Sequence, residues 1–128
     1  MKYCLILMSM FLFLKVHAQE EKTQHFSKLR TKSGYATYYA KKFEGRKTTS
    51  GEKYRSVKLT AAHRTLPFGT IVTVTNLNNG KSVDVEVNDR GPFTQKYIID
   101  ISEGAAKLLG FYKKGHSRVE ISYDTSGV

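Results

Sequence analysis

Apolar and aromatic residues of this chain come in short runs, each closed by glycine, proline or asparagine, which is the pattern of a small β-fold. The clearest pair lies at 70–77 and 81–88, joined through Asn78-Asn79-Gly80. Asn-Gly is a strong hairpin signal because both residues tolerate positive φ. In the second arm Val83, Val85 and Val87 alternate with Asp84, Glu86 and Asn88, predicting one buried face and one that is wet or lines a groove. Leu66-Pro67-Phe68-Gly69 predicts the turn that feeds the first arm. A short strand is expected at 97–101 and a final one at 118–123, with Val119, Ile121 and Tyr123 inward. One helix is expected between them, at 103–109, with Ser102 as N-cap, Glu103 at the positive end and Gly110 as the stop. Its apolar face is Ala105, Leu108 and Leu109. Many short strands with one small helix favour a closed barrel, which leaves no sheet edge exposed.

The N-terminus is of another kind. Lys2, the apolar stretch 4–14 and Val16-His17-Ala18 match a secretory signal cleaved after Ala18, and the stretch is shorter than the ~20 residues a membrane span needs. No stable membrane anchor is therefore expected after cleavage, and the product is exported, periplasmic or secreted. Cys4 is the only cysteine and falls inside the signal, so the mature chain is expected to have no thiol, disulfide or cysteine metal ligand. Residues 19–32 are polar apart from Phe26 and Leu29 and predict a flexible lead, followed by one domain at 33–124 and a disordered tail at 125–128.

Charge narrows the choice of partner. The chain carries 21 Lys and Arg against 11 Asp and Glu, a net +10, and loss of Lys2 and Lys15 with the signal leaves +8. That excess suits an acidic partner such as a wall polyanion, or serves solubility alone. Nucleic acid is not expected, since no aromatic-basic RNA motif or helix-turn-helix pattern is present.

Candidate chemistry gathers at the end of the second hairpin arm. In Asn88-Asp89-Arg90-Gly91-Pro92-Phe93 the proline cannot donate to a ladder and the glycine permits a tight reversal, which puts Asp89 at a barrel rim. Asp89 shares parity with Val83, Val85 and Val87. An unbroken pleat would lean its carboxyl over the apolar interior and raise its pKa, as a general acid requires. The alternative is an ordinary turn aspartate. Upstream, Thr60-Ala61-Ala62-His63 and Thr49-Ser50-Gly51-Glu52-Lys53-Tyr54 offer a histidine and a second carboxylate, neither diagnostic alone. No His/Asp/Glu set has zinc spacing and no Gly-x-Ser-x-Gly elbow is present, so no metal, cofactor or serine nucleophile is expected.

Taken in order, Ser33-Gly34-Tyr35-Ala36-Thr37-Tyr38-Tyr39, Phe43-Glu44-Gly45-Arg46-Lys47-Thr48, Gly51-Glu52-Lys53-Tyr54, the run from Leu59 through His63 to Thr70, Val74-Thr75-Asn76-Leu77 and Val87-Asn88-Asp89-Arg90-Gly91-Pro92-Phe93 closely resemble the RlpA (rare lipoprotein A) family. The resemblance spans 33–123. It implies a mainly β fold, a six-stranded double-psi β-barrel with one short helix, shared with expansins and the MltA lytic transglycosylases. It also implies an endolytic lytic transglycosylase, a carbon-oxygen lyase that cleaves naked peptidoglycan glycan strands and leaves 1,6-anhydro ends. Asp89 matches the family's catalytic position, with His63 and Glu52 matching the other polar residues of its groove. On this reading Asp89 is first acid and then base, a monomer suffices, and Tyr38, Tyr39, Lys47, Thr60, Arg90 and Phe93 are the candidate substrate-binding residues. Arg90 also raises a conflict, because a tight pair with Asp89 would lower the carboxyl pKa.

The sequence departs from the family pattern at Tyr38, where tryptophan is usual, at Ala40, where glycine is usual, and at Arg55-Ser56, where Asp-Met is usual. No lipobox cysteine follows the signal, so a lipoprotein is not expected, and no SPOR segment is seen, so septal targeting is not expected from the resemblance. An expansin-like module that binds polysaccharide without cleaving it is the rival reading, since a fold does not imply turnover.

Overall fold

A computed structural model of the protein describes residues 28–126. The expected signal, the first part of the expected lead and the last two residues lie outside the described residues. Six strands, β1 (Leu29–Tyr38), β2 (Thr60–Ala62), β3 (Ile71–Asn76), β4 (Ser82–Asp89), β5 (Ile99–Ile101) and β6 (Ser117–Asp124), close a barrel in the order β1-β5-β2-β4-β3-β6. The pairs β1/β5 and β2/β4 are parallel and the others antiparallel. Closure gives every strand two partners and removes the exposed edges that short strands would otherwise present.

Alternation predicts the interior well. Val72 and Val74 of β3, Val85 and Val87 of β4, Ile99 and Ile101 of β5, and Val119 and Ile121 of β6 are all buried, and Ala36 and Ala61 complete the packing. Each large aliphatic side chain removed from water contributes about 1.5–3 kcal/mol. In the hairpin loop only Gly80 has positive φ; Asn79 does not. The loop is longer than a two-residue turn, with the Asn79 and Gly80 amides both donating to the Asn76 carbonyl.

β1 begins at Leu29, inside the stretch expected to be a flexible lead. Residues 29–33 are exposed and bury little apolar surface, but their backbone pairs in register with β6 from Leu29↔Asp124 to Ser33↔Glu120. A strand held by its ladder rather than by side-chain burial leaves no hydrophobic period to read. At the other end, the Thr125 amide and hydroxyl both donate to the Lys28 carbonyl, so that residue of the expected tail is tied down as well.

The helix α1 (Glu103–Leu109) has the bounds the sequence predicts. The Ser102 hydroxyl accepts from the Ala105 amide, and Gly110 closes the helix in the left-handed conformation. Its buried face is Ala105, Ala106 and Leu109, whereas Leu108 is exposed. At 100° per residue Leu108 turns away from the side on which Ser102, Ala105 and Leu109 fall. Gly104 lets the helix approach the long β1–β2 connection. Its amide donates to the Ser56 carbonyl, and a Cβ there would lie 2.8 Å from that same oxygen.

Asn76, only 2% exposed, fastens the hairpin to the helix end. Its Nδ2 donates to the Leu109 carbonyl, and its Oδ1 accepts from the Asn78 amide and the Ser117 hydroxyl. Asn76→Ala is expected to cost about 2–4 kcal/mol, because three hydrogen bonds go and the buried Ser117 hydroxyl keeps only the Arg118 carbonyl, at 3.4 Å, as acceptor. Chemical denaturation of the two proteins measures this directly.

Candidate active site

The site begins with a break in the pleat of β4. Ala61 pairs with Val87, but the next residue, Ala62, pairs with Asp89, so Asn88 is an extra residue in β4 and is buried. A one-residue bulge transfers every later side chain to the opposite face. Asp89 therefore leaves the interior face of Val85 and Val87 and joins the outer face, in one row across four strands with Ala62, Asp100 and Thr37. The expectation that the Asp89 carboxyl leans over the apolar interior is corrected by this bulge. After it, Gly91 takes φ +128, and the bond to Pro92 is cis.

The Asp89 carboxylate is held by four donors. Its Oδ2 accepts from the Tyr39 hydroxyl at 2.6 Å, and its Oδ1 from the Thr49 amide at 2.9 Å, the Thr49 hydroxyl at 2.8 Å and the Arg90 amide at 2.9 Å. Partial burial pushes this carboxyl up, but the hydrogen bonds from Tyr39, Thr49 and the Arg90 amide outweigh it and hold the group below its ordinary value. The expected rise in the pKa of Asp89 is thus reversed. The partner responds in the opposite sense, with burial and the bond to Asp89 raising the Tyr39 phenol well above its ordinary range.

The supports of this cage come from distant parts of the chain. Tyr39 stacks on Tyr54, with centroids 4.3 Å apart, and Tyr54 is buried with its hydroxyl accepting from the Glu103 amide at the start of α1. Thr49 sits in a turn closed by the Lys47↔Lys53 bridge and by the Thr48 amide and hydroxyl, both donating to the Glu52 carbonyl. The Ser50 amide pins that turn to the Asn88 carbonyl, the bulge residue itself.

The Arg90 guanidinium does not face Asp89. Its Nη1 donates to the carbonyls of His63 and Leu66, and its plane lies 4.1 Å over the Phe68 ring. The conflict seen in the sequence disappears, because Arg90 lowers the Asp89 pKa only through its backbone amide. His63 is half-buried, and its Nδ1 accepts from the Thr65 and Leu66 amides, which leaves the proton of the neutral ring on Nε2. Burial first, then Lys32, Arg64 and Arg90, push its pKa down and favour that neutral form.

The remaining candidates fall in different places. Glu52 is exposed on the Thr49 turn, and Lys47 is exposed at the base of the same turn. Phe93 is 90% exposed beside Gly91. Tyr38 points elsewhere: its hydroxyl donates to the Tyr112 carbonyl and its ring packs on Phe111 and Tyr112. Thr60 is 8% exposed, and its hydroxyl finds no hydrogen-bond partner among the described residues.

Asp100 is a site residue that sequence reasoning missed. The signal was an acid set between Ile98-Ile99 and Ile101 in an otherwise apolar strand. Burial pushes its carboxyl up to about 6, Arg64 opposing and Asp89 reinforcing the shift. Thr49 and Arg64 were also missed. The Arg64 Nη2 donates to the carbonyls of Thr94 and Tyr97, bracing the connection between β4 and β5.

Residues 31–121 match a protein family described as lytic transglycolase. The chain is 51% identical over 90 residues to the endolytic peptidoglycan transglycosylase RlpA of Haemophilus influenzae, covering 70% of this chain and 31% of that one. To the RlpA of Neisseria meningitidis it is 50% identical over 97 residues, covering 76% and 41%. The chain thus spans less than half the length of these curated relatives. Among solved structures it is similar to the Streptomyces papain inhibitor (TM-score 0.61, 22% identity, 74% of this chain and 94% of that one). It is also similar to a variant of the Clavibacter michiganensis expansin in complex with cellohexaose (TM-score 0.60, 20% identity, 73% and 50%). The fold they share is the double-psi β-barrel.

Tyr39→Phe is expected to let the Asp89 pKa rise toward its ordinary value, which carboxyl NMR titration reads. A depressed carboxyl contributes stability above its unfolded pKa and loses that contribution as pH falls through the folded pKa. The variant should accordingly be less stable near neutrality by about 1–2 kcal/mol, the worth of one charge-assisted hydrogen bond discounted for partial exposure. The deficit should vanish in strong acid.

Proposed function

The chain belongs to the lytic transglycolase family, and from that premise we propose that it is an endolytic peptidoglycan transglycosylase. It cleaves the bond between N-acetylmuramic acid and N-acetylglucosamine within glycan strands and leaves 1,6-anhydro ends. The observation that carries this reading is the Asp89 carboxylate, fixed in its ionised form by four donors at the end of β4. An ionised carboxylate held there can stabilise positive charge developing on the sugar ring and can take the proton of the attacking hydroxyl. In the anhydro-forming reaction the attacker is the muramoyl C6 hydroxyl of the substrate itself, so neither an activated water nor a covalent enzyme intermediate is required.

The other polar groups have supporting tasks on this reading. The neutral His63 presents an Nε2 proton to a sugar or acetamido oxygen, and Glu52 lies within the same turn as Thr49, open to substrate. Phe93 offers an exposed flat face to a sugar ring. Lys41, Lys42, Arg46, Lys47 and Lys53 stand exposed along the connection that carries Thr49, where they suit the lactyl and peptide carboxylates of the wall. The protein acts outside the cytoplasm, after export by its N-terminal segment.

Digestion of purified sacculi followed by mass spectrometry tests the proposal. The wild-type protein is expected to release anhydro-muramoyl fragments, and Asp89→Asn to release them about 10²–10⁴-fold more slowly with the barrel intact by circular dichroism. Reducing ends that have gained water would make the protein a hydrolase, and binding without release would make it an expansin-like module.

A further inference from the structure

Cleavage by this route needs two proton transfers, one to the departing oxygen and one from the attacking hydroxyl. Asp89 is equipped for the second and badly placed for the first, because every donor around it favours the carboxylate. We propose that Asp100 is the proton donor of this site, paired across β2 with Asp89 as the base. The inference rests on the transglycosylase reading and assigns the acid within it.

Placement comes first. Asp100 pairs with Ala62 on one side, and Ala62 pairs with Asp89 on the other. Directly paired residues share a face, so both carboxyls rise from the same surface with only the methyl of Ala62 between them. Two strand spacings separate their Cα atoms, about 10 Å. Side chains leaning together from such positions bring their carboxyls closer than the Cα atoms, onto one stretch of sheet face that a single sugar linkage can span.

The environments of the two groups are opposite. Asp89 has four donors, whereas the buried Asp100 Oδ1 has no hydrogen-bond partner among the described residues. A desolvated carboxyl without donors is more stable as the neutral acid, and the negative charge of Asp89 adds to that preference. The charged and titratable groups acting on Asp100 are Arg64 from the β2 side, which favours ionisation, Asp89 from β4, and Tyr39 from the end of β1. Glu103 of α1 acts on Tyr38 and Tyr54 instead. A pair of carboxyls driven apart in this way is a division of labour between acid and base.

The step balances. The bond from muramoyl C1 to the bridging oxygen breaks, and its electron pair leaves on that oxygen, which takes the proton of Asp100 and becomes the free 4-hydroxyl of N-acetylglucosamine. A lone pair of muramoyl O6 forms the new bond to C1, and the O6 proton passes to Asp89. Asp100 ends ionised and Asp89 protonated, and exchange with solvent restores both. In the anhydro product O6 occupies the face of the ring that the leaving oxygen vacates, so acid and base are both wanted on one side, where a single sheet face supplies them.

The test follows release of anhydro-muramoyl fragments from sacculi between about pH 4 and pH 8 for the wild type, Asp100→Asn and Arg64→Gln. Expected are a loss of about 10²–10⁴-fold in Asp100→Asn with sacculus binding retained, and a wild-type rate that falls as pH rises through about 6. Arg64→Gln removes the charge that favours ionised Asp100 and should move that fall to higher pH, which a merely structural role of Asp100 would not produce. Should Asp100→Asn fail to fold, the wild-type and Arg64→Gln profiles decide the matter. Anhydro products from Asp100→Asn within about threefold of wild type, or a wild-type rate flat through pH 6, overturn the assignment of Asp100 while leaving the transglycosylase reading standing. No anhydro product from wild type at any pH overturns both.

Discussion

The one-residue bulge at Asn88 is the constraint on which the candidate site depends. Without it β4 would carry its alternation to the end, and Asp89 would enter the barrel beside Val85 and Val87, an uncompensated charge among aliphatic side chains. With it the carboxyl crosses to the outer face, where Tyr39, Thr49 and the Arg90 amide converge on it. The bulge is itself held from outside the ladder, since the Asn88 carbonyl accepts from Ser50 in the turn that supplies Thr49. Strand end, turn and carboxylate form one cooperative unit.

That unit is anchored to the rest of the fold through aromatic packing. Tyr54 is buried beneath Tyr39 and receives the first amide of α1, and Gly104 lets the same helix close against Ser56. A helix of seven residues has little stability of its own and owes it to the barrel side chains it covers. The hydroxyl that meets Asp89 is thus positioned by stacking, burial and a helix N-terminus rather than by local turn geometry. This agrees with the general need of a site for a rigid supporting shell.

A contrast between two aspartates follows from the same architecture. Both sit on the outer face of one sheet, flanking Ala62. Asp89 lies at a strand end, where loops can bring donors to it. Asp100 lies within a three-residue strand whose backbone is engaged by β1 and β2, and its buried Oδ1 has no hydrogen-bond partner among the described residues. Strand end against strand middle shifts the two carboxyls in opposite directions, Asp89 below its ordinary value and Asp100 above it.

Much of the fold was legible in the residues themselves. Alternation at Val83, Val85 and Val87 marked the interior, Ser102 and Gly110 marked the ends of the helix, and the motif order from Ser33 to Tyr123 pointed to the barrel and the family. These are local signals, set by periods of two or 3.6 residues and by backbone conformations that few residue types adopt. The sequence by itself also singled out Asp89, through its place before Arg90-Gly91-Pro92. Its environment was another matter. Parity carried Asp89 inward, but a bulge that depends on pairing with β2, where Ala62 lies 27 residues upstream of Asp89, carried it outward. Arg90 follows Asp89 directly in the sequence and yet sends its guanidinium to Phe68 and the His63 carbonyl, while Asp100 passed unremarked inside the short strand expected at 97–101. Only the tertiary structure decided these, because the protonation of a carboxyl depends on which distant donors and charges folding brings within reach, and no local pattern encodes that.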